Sequence, residues 1–248
     1  MLVVANGAQK SGSTWLFNMI QNMHDFADVP EEFLLDKDNP NSEIVYERLP
    51  EFLGALDFSS TDYLLKNHFG QVEQRDAILG TKDTLVVNIK RDLKDAIVSA
   101  YYYTMKLSNQ KRSFENYYWN EGRYLAGNMK RYHHAWESFP SSRVLLVSYE
   151  RLITDPVVEV MGIGRFLGFD VTQDKARQVL DATSMKKLRE KYSDEGEIKF
   201  FRKGTMGDWE NHFKGAALED IQEIEVNGLR PTFVRRMMVK FMSLKHSK

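Results

Sequence analysis

The chain has 248 residues, of which 42% are hydrophobic and 28% charged, so it can bury a large core beneath a solvated surface. Cysteine is absent, which excludes disulfides, thiolate metal sites and cysteine nucleophiles and is compatible with a reducing, cytoplasmic location. The net charge of −1 gives no indication of nucleic-acid binding, and no apolar run approaches the ~18 residues of a membrane span. We expect a single domain over residues 1–248, without a signal peptide.

The predicted elements alternate between strands and helices. Four short, almost continuously apolar runs predict strands covered on both faces: Leu2–Ala5, Tyr63–Lys66, Leu85–Ile89 and Val144–Ser148. Helical patterns occur at Trp15–Met23, Leu93–Met105, the aromatic-rich stretch Phe114–Phe139, and from Asp155-Pro156 to Gly168. The segment Asp25–Thr61 is irregular and predicts little regular structure. This order predicts an α/β domain with a mostly parallel sheet flanked by helices.

A loop of small residues connects the first strand to the first helix, with the sequence G-A-Q-K-S-G-S-T over Gly7–Thr14. A strand, a glycine turn and a helix N-terminus form an anion cradle because free backbone N–H groups and the helix dipole face the ligand. The spacing G-x-x-x-x-G-x-T is that of a nucleoside-triphosphate loop, but Ser13 replaces the lysine and Lys10 lies three residues earlier. Taken alone, the loop is about equally compatible with a capped glycine turn.

The displaced lysine is the first sign of a known family. The stretch Gln9–Trp15 resembles the 5′-phosphosulfate loop, usually P-K-S-G-T-T-W, of sulfotransferases that use 3′-phosphoadenosine 5′-phosphosulfate (PAPS). Gln9 replaces the proline of that motif and Ser13 replaces a threonine. The resemblance implies that the loop binds PAPS through the following residues: Lys10, Ser11, Gly12, Ser13, Thr14 and Trp15.

A second segment, Asn88–Tyr101, resembles the 3′-phosphate segment of the same family, usually R-N-P-K-D-x-x-x-S-x-Y. On physical grounds, Arg91 ends a buried strand, Asp92 can cap the next helix, and Ser99 lies two turns inside it. A guanidinium at the carboxyl end of a strand suits a terminal phosphate, because arginine binds such groups through paired donors. The resemblance implies that Arg91 and Ser99 hold the 3′-phosphate. Without it, a surface arginine and an ordinary helical serine would explain both residues.

Three further pieces follow in the family's order. Phe201–Phe213 closely resembles the segment R-K-G-x-x-G-D-W-x-N-x-F, in which two cations and two glycines form a flexible phosphate clasp. The implied 3′-phosphate ligands are Arg202, Lys203 and Gly204. Ser148–Glu150 and Thr183–Met185 match smaller motifs that imply adenosine contacts from Tyr149, Thr183 and Met185. Since phenylalanine is common at the position of Met185, we expect a softer adenine contact there.

The pair Lys66 and His68 matches the K-x-H element that carries the family's catalytic base. Positions two apart on a strand face the same way, so both side chains should project together. A histidine with an ordinary pKa of about 6.5 accepts a proton near neutral pH. His133 and His134 lie in the aromatic helix, where core packing explains them better than catalysis.

The resemblance covers residue 1 to about Phe213 and implies a fold like that of P-loop nucleotide-triphosphate hydrolases. It implies transfer of a sulfuryl group from PAPS to a hydroxyl-bearing alcohol, phenol, lipid or glycan, with no metal requirement. The proposed catalytic residues are His68, Lys10 and Lys66. The family's dimer motif is not recognisable in Lys214–Glu219, so the oligomeric state stays open.

The sequence leaves two alternative functions open. A nucleotide-dependent, kinase-like phosphotransferase would require a lysine directly before Thr14 and an acidic magnesium ligand at a strand end. The first is absent and the second is not evident. A relative that binds nucleotide without catalysis is disfavoured by the presence of both Lys10 and His68.

Acceptor specificity is expected to come from Asp25–Thr61 and from three aromatic groups: Tyr101–Tyr103, Tyr117–Trp119 and Tyr132–Trp136. Core packing explains most of these aromatic residues, so none is assigned an acceptor contact. The C-terminal Arg230–Lys248 contains six Lys/Arg and no acidic residue, with apolar residues at helical spacing. A final helix packed on the domain is the favoured interpretation; a peripheral contact with an anionic membrane or an acidic carrier protein is the alternative.

Overall fold

A computed structural model describes residues 1–37, 43–108, 111–192 and 204–229. It contains one fully parallel four-stranded sheet in the order β2-β1-β3-β4. The strands are β1 (Leu2–Gly7), β2 (Tyr63–Asn67), β3 (Thr84–Lys90) and β4 (Val144–Ser148). All four predicted strands are therefore confirmed, with short extensions at the ends of the first three.

Eleven α-helices surround the sheet within the described residues. They are α1 (Ser13–Gln21), α2 (Leu49–Ala55), α3 (Val72–Gly80), α4 (Leu93–Leu107), α5 (Phe114–Tyr117), α6 (Arg123–Glu137), α7 (Tyr149–Thr154), α8 (Pro156–Leu167), α9 (Gln173–Ala182), α10 (Met185–Lys191) and α11 (Gly215–Asn227). Asp92 caps α4 by accepting a hydrogen bond from the N–H of Asp95, as expected. Gly168 ends α8 in the left-handed conformation.

Two expectations about the helices are wrong in part. The segment Asp25–Thr61 contains α2 and two 3-10 turns, Glu31–Phe33 and Tyr46–Arg48, and Phe52 of α2 is fully buried. The sequence pattern is too short there to reveal an amphipathic period. The predicted helix Phe114–Phe139 ends at Glu137 and is interrupted by a π-helical turn at Tyr118–Gly122.

The sheet separates two hydrophobic clusters, because side chains alternate between its faces. Val3 and Ala5 of β1 pack with α1, α8 and α9, whereas Leu2 and Val4 pack with α3, α4 and α6. Full burial of each such aliphatic side chain contributes roughly 1.5–3 kcal/mol. The expectation of two covered faces is wrong for β4: it forms one edge of the sheet, and its Leu146 is 48% exposed.

The strand order places the site. The chain passes from β1 to β2 on one side, and β3 then lies on the other side of β1. A crevice opens at the carboxyl ends of parallel strands where the order reverses in this way. The loops that follow β1, β2 and β3 converge on it. No helix in the described part of the chain is long and apolar enough to cross a bilayer. The expected clasp cations Arg202 and Lys203 and the basic segment Arg230–Lys248 lie outside the described residues.

Candidate active site

A cavity of about 900 Å³ lies at the carboxyl edge of the sheet. Its volume is within the range of small-molecule binding sites. The structure brings most of the predicted site residues together in its wall: Lys10, Gly12, Ser13, Thr14, Trp15, Lys66, His68, Arg91, Ser99, Tyr149, Thr183, Met185 and Gly204. These residues come from well separated parts of the chain, so one space is shared by all the described motifs.

Ser11 is the described site residue that does not reach the cavity. Its side chain is fully buried, and its hydroxyl donates to the carbonyl oxygen of Ala8 at 2.6 Å. The backbone N–H of Ser11 bonds to the same oxygen at 3.1 Å. Ser11 therefore stabilises the turn through its two hydrogen bonds to Ala8. This geometry does not support its expected direct contact with the cofactor.

The loop has a backbone that only particular residues accommodate. Lys10 and Gly12 have φ values of 66° and 102°. A Cβ on Gly12 would lie 2.8 Å from the ring of Tyr149. Glycine is therefore needed here both for the left-handed backbone conformation and for the close packing against Tyr149. Gly12 also precedes α1 without a side-chain cap. The N-terminal N–H groups of α1 consequently face the loop as donors for an anion.

Two lysines are desolvated in this cavity. The ammonium of Lys10 lies 3.9 Å above the ring of Tyr103, and burial, together with the charge of Arg91, lowers the pKa of Lys10 to about 8. Lys66 is only 4% exposed, and burial followed by the charge of Lys10 lowers its pKa to about 7. Cations desolvated in this way are stabilised strongly by a bound anion.

Arg91 lies between the loop and the clasp. Its guanidinium stacks 4.3 Å from the ring centroid of Tyr149 and makes long hydrogen bonds of 3.4 Å to the carbonyl oxygens of Lys10 and Thr205. Its Nε is buried without a hydrogen-bond partner. Trp15 packs edge-on against the same tyrosine, with 5.7 Å between ring centroids. A rigidly held guanidinium with an unsatisfied donor is suited to a phosphate.

Thr183, Met185 and Gly204 also line the cavity. The Thr183 hydroxyl donates to the carbonyl oxygen of Val179 at 2.8 Å, which leaves its oxygen lone pairs available. Gly204 has a φ of 67°, and a Cβ there would lie 2.4 Å from the Met185 methyl group. The start of the clasp therefore packs directly on the methionine.

His68 presents one ring nitrogen as a base. Its Nδ1 lies 2.6 Å from the carbonyl oxygen of Gly7, and because a carbonyl only accepts, Nδ1 carries the proton and Nε2 keeps a lone pair. Burial first, and the charge of Lys66 second, lower the pKa of His68 to about 4, so the ring is neutral at physiological pH. By contrast, His133 is buried in α6 and does not line the cavity.

A row of buried asparagines positions this histidine and was not anticipated. Asn6 is in register with Asn67 and Asn88 on the neighbouring strands. The Asn6 side chain donates to the carbonyl oxygen of Phe69 and accepts from its N–H, at 3.2 and 3.0 Å, and also donates to Asn88. The segment that carries His68 is thereby attached to the central strand. Asparagine near the end of three apolar strands is the sequence signal that could have revealed it.

Asp95 is a second residue that the sequence analysis missed. Its buried carboxylate accepts from the backbone N–H groups of Gly207 and Trp209, at 2.7 and 3.0 Å. The clasp is thus attached to the first turn of α4, next to Arg91. A charged residue on the apolar face of a helix was the available signal.

The remaining wall of the cavity contains no assigned residue from the motifs. Its members include Asp36, Glu43, Ala100, Tyr103, Thr104, Tyr117 and Leu125. Tyr117 and Leu125 are eight residues apart, and on a regular α-helix such residues point about 80° apart. The wider π turn between them reduces this angle, which helps both side chains to line the same cavity. Tyr132 and Trp136 are buried in the core, as core packing predicts.

The arrangement defines a class of protein: an α/β domain whose cavity, at the carboxyl edge of a parallel sheet, combines a glycine loop, two lysines and an arginine with a neutral histidine. Within the described ranges, no group of three or more His, Asp or Glu residues is placed to bind a metal. The profile of the family described as "Sulfotransferase domain" matches residues 2–229. The chain therefore belongs to the sulfotransferase family, and the expectation of a PAPS-dependent sulfotransferase is confirmed at the level of the family.

Known relatives and solved structures agree with this assignment. The chain is 27% identical to rat Sulfotransferase 1E1 over 234 residues, which covers 86% of this chain and 78% of the relative. It is 26% identical to human Sulfotransferase 2A1, over 87% and 79% of the two chains. The structure of mouse sulfotransferase SULT7A1 complexed with PAP (the 3′,5′-bisphosphate product of PAPS) matches with a TM-score of 0.71 at 21% identity, over 97% and 88% of the chains. Retinol dehydratase in complex with androsterone and PAP matches with a TM-score of 0.64 at 18% identity, over 93% and 82%.

Proposed function

We propose that this sulfotransferase moves a sulfuryl group from PAPS to the hydroxyl of a small-molecule or lipid-like acceptor, with His68 as the general base. The observation that carries the proposal is the shared cavity, in which the neutral Nε2 of His68 faces the same space as Lys10, Lys66 and Arg91. A base and three cations in one desolvated space are what this transfer needs.

The residues of the cavity fit PAPS on structural grounds. An anionic ligand would satisfy the orphaned Nε of Arg91 and compensate the desolvated ammonium groups. Only glycine fits the turn at Gly12, because a Cβ there would lie 2.8 Å from the ring of Tyr149, and the loop conformation that presents the N–H groups of α1 depends on it. When bound, PAPS supplies an activated sulfuryl group with a phosphate as its leaving group.

The chain's own groups divide the binding task. The N–H groups from Gly12 to Thr14 and the hydroxyls of Ser13 and Thr14 hold the 5′-phosphate. Arg91 and Ser99, with Gly204 and the clasp cations Arg202 and Lys203, hold the 3′-phosphate. Aromatic and methionine contacts enclose the adenosine through Trp15, Tyr149, Thr183 and Met185. The 5′-phosphate and the 3′-phosphate of the cofactor thus bind beyond the ends of different strands of one sheet.

The chemical step follows from the tautomer of His68. Its Nε2 accepts the proton of the acceptor hydroxyl, while the Nδ1–H bond to Gly7 holds the ring and stabilises the charge that forms. Lys10 and Lys66 donate to the oxygens on which negative charge develops. Because the ring is neutral before the reaction, it needs no prior deprotonation at pH 7.

The acceptor is expected to be largely apolar. Tyr103, Tyr117 and Leu125 belong to the remaining wall of the cavity, and such walls accept ring-bearing or aliphatic molecules. Two structural neighbours were solved with androsterone and with retinol, which are molecules of this kind. We therefore favour phenols, sterol-like alcohols and fatty alcohols over glycans.

A paired assay tests this function and its rivals. We expect PAP to raise the melting temperature without magnesium, and the protein to transfer labelled sulfate from PAPS to at least one member of a phenol and alcohol panel. Stabilisation by Mg-ATP alone would instead indicate a kinase-like phosphotransferase. Stabilisation by PAP without transfer to any acceptor would indicate a nucleotide-binding protein without catalysis.

Two proposals concern the wider setting of the protein. The lack of cysteine favours the cytoplasm, which fractionation of cells expressing the native chain would test. Arg230–Lys248 is proposed either to pack on the domain or to contact an anionic surface. Co-sedimentation with liposomes, with and without anionic lipid, separates these cases, because packing on the domain predicts no binding to either.

A further inference from the structure

Glu43 makes a contact that the motifs did not predict. Its carboxylate pairs with the ammonium of Lys66 inside the cavity, where the two side chains are 17% and 4% exposed. Glu43 comes from the acceptor-side segment, far from the phosphate loop in sequence. An ion pair this strongly buried is costly to form unless its geometry is maintained by the surrounding structure.

Backbone contacts hold Glu43 against Lys66. The N–H of Leu35 donates to the carbonyl oxygen of Glu43 at 2.7 Å, and Ile44, next to it, is 1% exposed. Asn67, the neighbour of Lys66 on β2, donates from its side chain to the carbonyl oxygen of Ile44 at 3.3 Å. The strand that carries the lysine and the segment that carries the carboxylate are therefore joined beside the ion pair.

Burial and one neighbouring cation oppose the charged form of Lys66. The titratable and charged groups that line the cavity with it, from every element, are Lys10, Asp36, Glu43, His68, Arg91, Tyr103, Tyr117 and Tyr149. Burial and the charge of Lys10 bring the pKa of Lys66 down to about 7. The Glu43 carboxylate acts in the opposite direction, because an adjacent anion favours the charged form of a lysine.

We propose that Glu43 is a positioning residue of the sulfuryl transfer, which keeps the Lys66 ammonium charged and directed into the cavity until the oxygens of the cofactor replace the carboxylate. The inference rests on the proposed function for the role of Lys66. It predicts a pH-dependent defect: without Glu43, Lys66 loses its proton at lower pH, so the alkaline limb of activity moves to lower pH.

The direct test is an NMR titration of the full chain labelled with ¹³C-lysine, in which a Lys66→Arg variant identifies the Lys66 signal. We expect Glu43→Gln to lower the pKa of Lys66 by at least about one unit, a tenfold loss of the charged form above that pKa. The control is Glu47→Gln, which removes the same charge from an exposed position four residues away and should leave the pKa of Lys66 unchanged.

The second readout is the pH profile of kcat/KM for sulfate transfer to an aliphatic alcohol. The alkaline limb should move down with Glu43→Gln and not with Glu47→Gln. A Lys66 pKa that is the same in Glu43→Gln and wild type overturns the proposal. A lowered Lys66 pKa with an unchanged pH profile of kcat/KM overturns it as well. If Glu43→Gln does not fold, Lys66→Met decides instead: an unchanged pKa of the Glu43 carboxyl overturns the pairing, and a raised one supports it. The titrations need neither PAPS nor acceptor, so a failure of the proposed function is seen separately.

Discussion

The two walls of the cavity are built in different ways. The loop wall is one contiguous stretch, Gly7–Trp15, whose shape depends on backbone conformation and on the packing of Gly12 against Tyr149. The remaining wall includes Glu43, Tyr103, Tyr117 and Leu125, which lie on four separate segments and act through their side chains. The loop wall is therefore specified by local sequence, and the remaining wall by tertiary packing.

This difference predicts a division of labour. Changes in the loop wall should weaken the binding of any nucleotide with two phosphate ends, whatever the acceptor. Changes at Tyr117 and Leu125 of the remaining wall should alter acceptor use and leave PAP binding intact. We assign His68 to neither binding task, so its substitution should affect the chemical step and not cofactor binding.

The largest effect is expected from His68→Ala. Loss of the base should lower kcat by at least about a hundredfold, because general-base catalysis contributes roughly 10²–10⁴-fold. The Kd for PAP, measured by calorimetry, should stay within about threefold of wild type, since binding relies on other residues. Retention of turnover would show that another group takes the proton.

Gly12→Ala should be the most damaging change in the loop wall. Alanine in this left-handed conformation costs roughly 1–2 kcal/mol, and its Cβ would also lie 2.8 Å from the ring of Tyr149. We expect at least about a tenfold rise in the Kd for PAP and a measurably lower melting temperature. Gly54→Ala is the matched control, since Gly54 is exposed in α2 with nothing within 4 Å of the added Cβ. Equal behaviour of the two variants would contradict the role of the loop conformation.

The pH dependence of PAP binding should report Lys10. An anion binds best to the protonated lysine, so affinity is fully present below the pKa of about 8 and is lost as the pH rises through it. We expect binding about tenfold weaker at pH 9 than at pH 7. The Lys10→Arg variant keeps its positive charge between pH 7 and pH 9 and should reduce the pH dependence of PAP binding. Any pH dependence that remains is then that of Lys66. A flat wild-type profile would exclude a titrating lysine beside the phosphate.

The smallest effect on cofactor binding is expected from Leu125→Ala in the remaining wall. Removing this partly exposed side chain enlarges the acceptor space, so the ratio of kcat/KM between a bulky and a small alcohol should rise about three- to tenfold. The Kd for PAP should change by less than about twofold. A change in PAP affinity comparable to that of Gly12→Ala would remove the distinction between the two walls.

The fold was largely predictable because its signals are local. Apolar runs such as Leu2–Ala5 form strands wherever both faces are covered, and an acidic cap such as Asp92 starts a helix by itself. The short α2 was missed because its burial depends on what packs over it. The exposure of Leu146 was missed for the same reason: an edge strand and a central strand have similar sequences.

The amino-acid sequence alone determined the order of the strands and main helices, the glycine loop after β1 and the segments that resemble the family's motifs, since each depends on neighbouring residues. Only the tertiary structure decided which polar and charged groups contact one another. The turning of Ser11 away from the cavity, the attachment of the clasp to Asp95, and the pairing of Glu43 with Lys66 all join residues that no local pattern connects. Electrostatic and packing energies depend on distance in space, and the chain brings those groups together only when it folds.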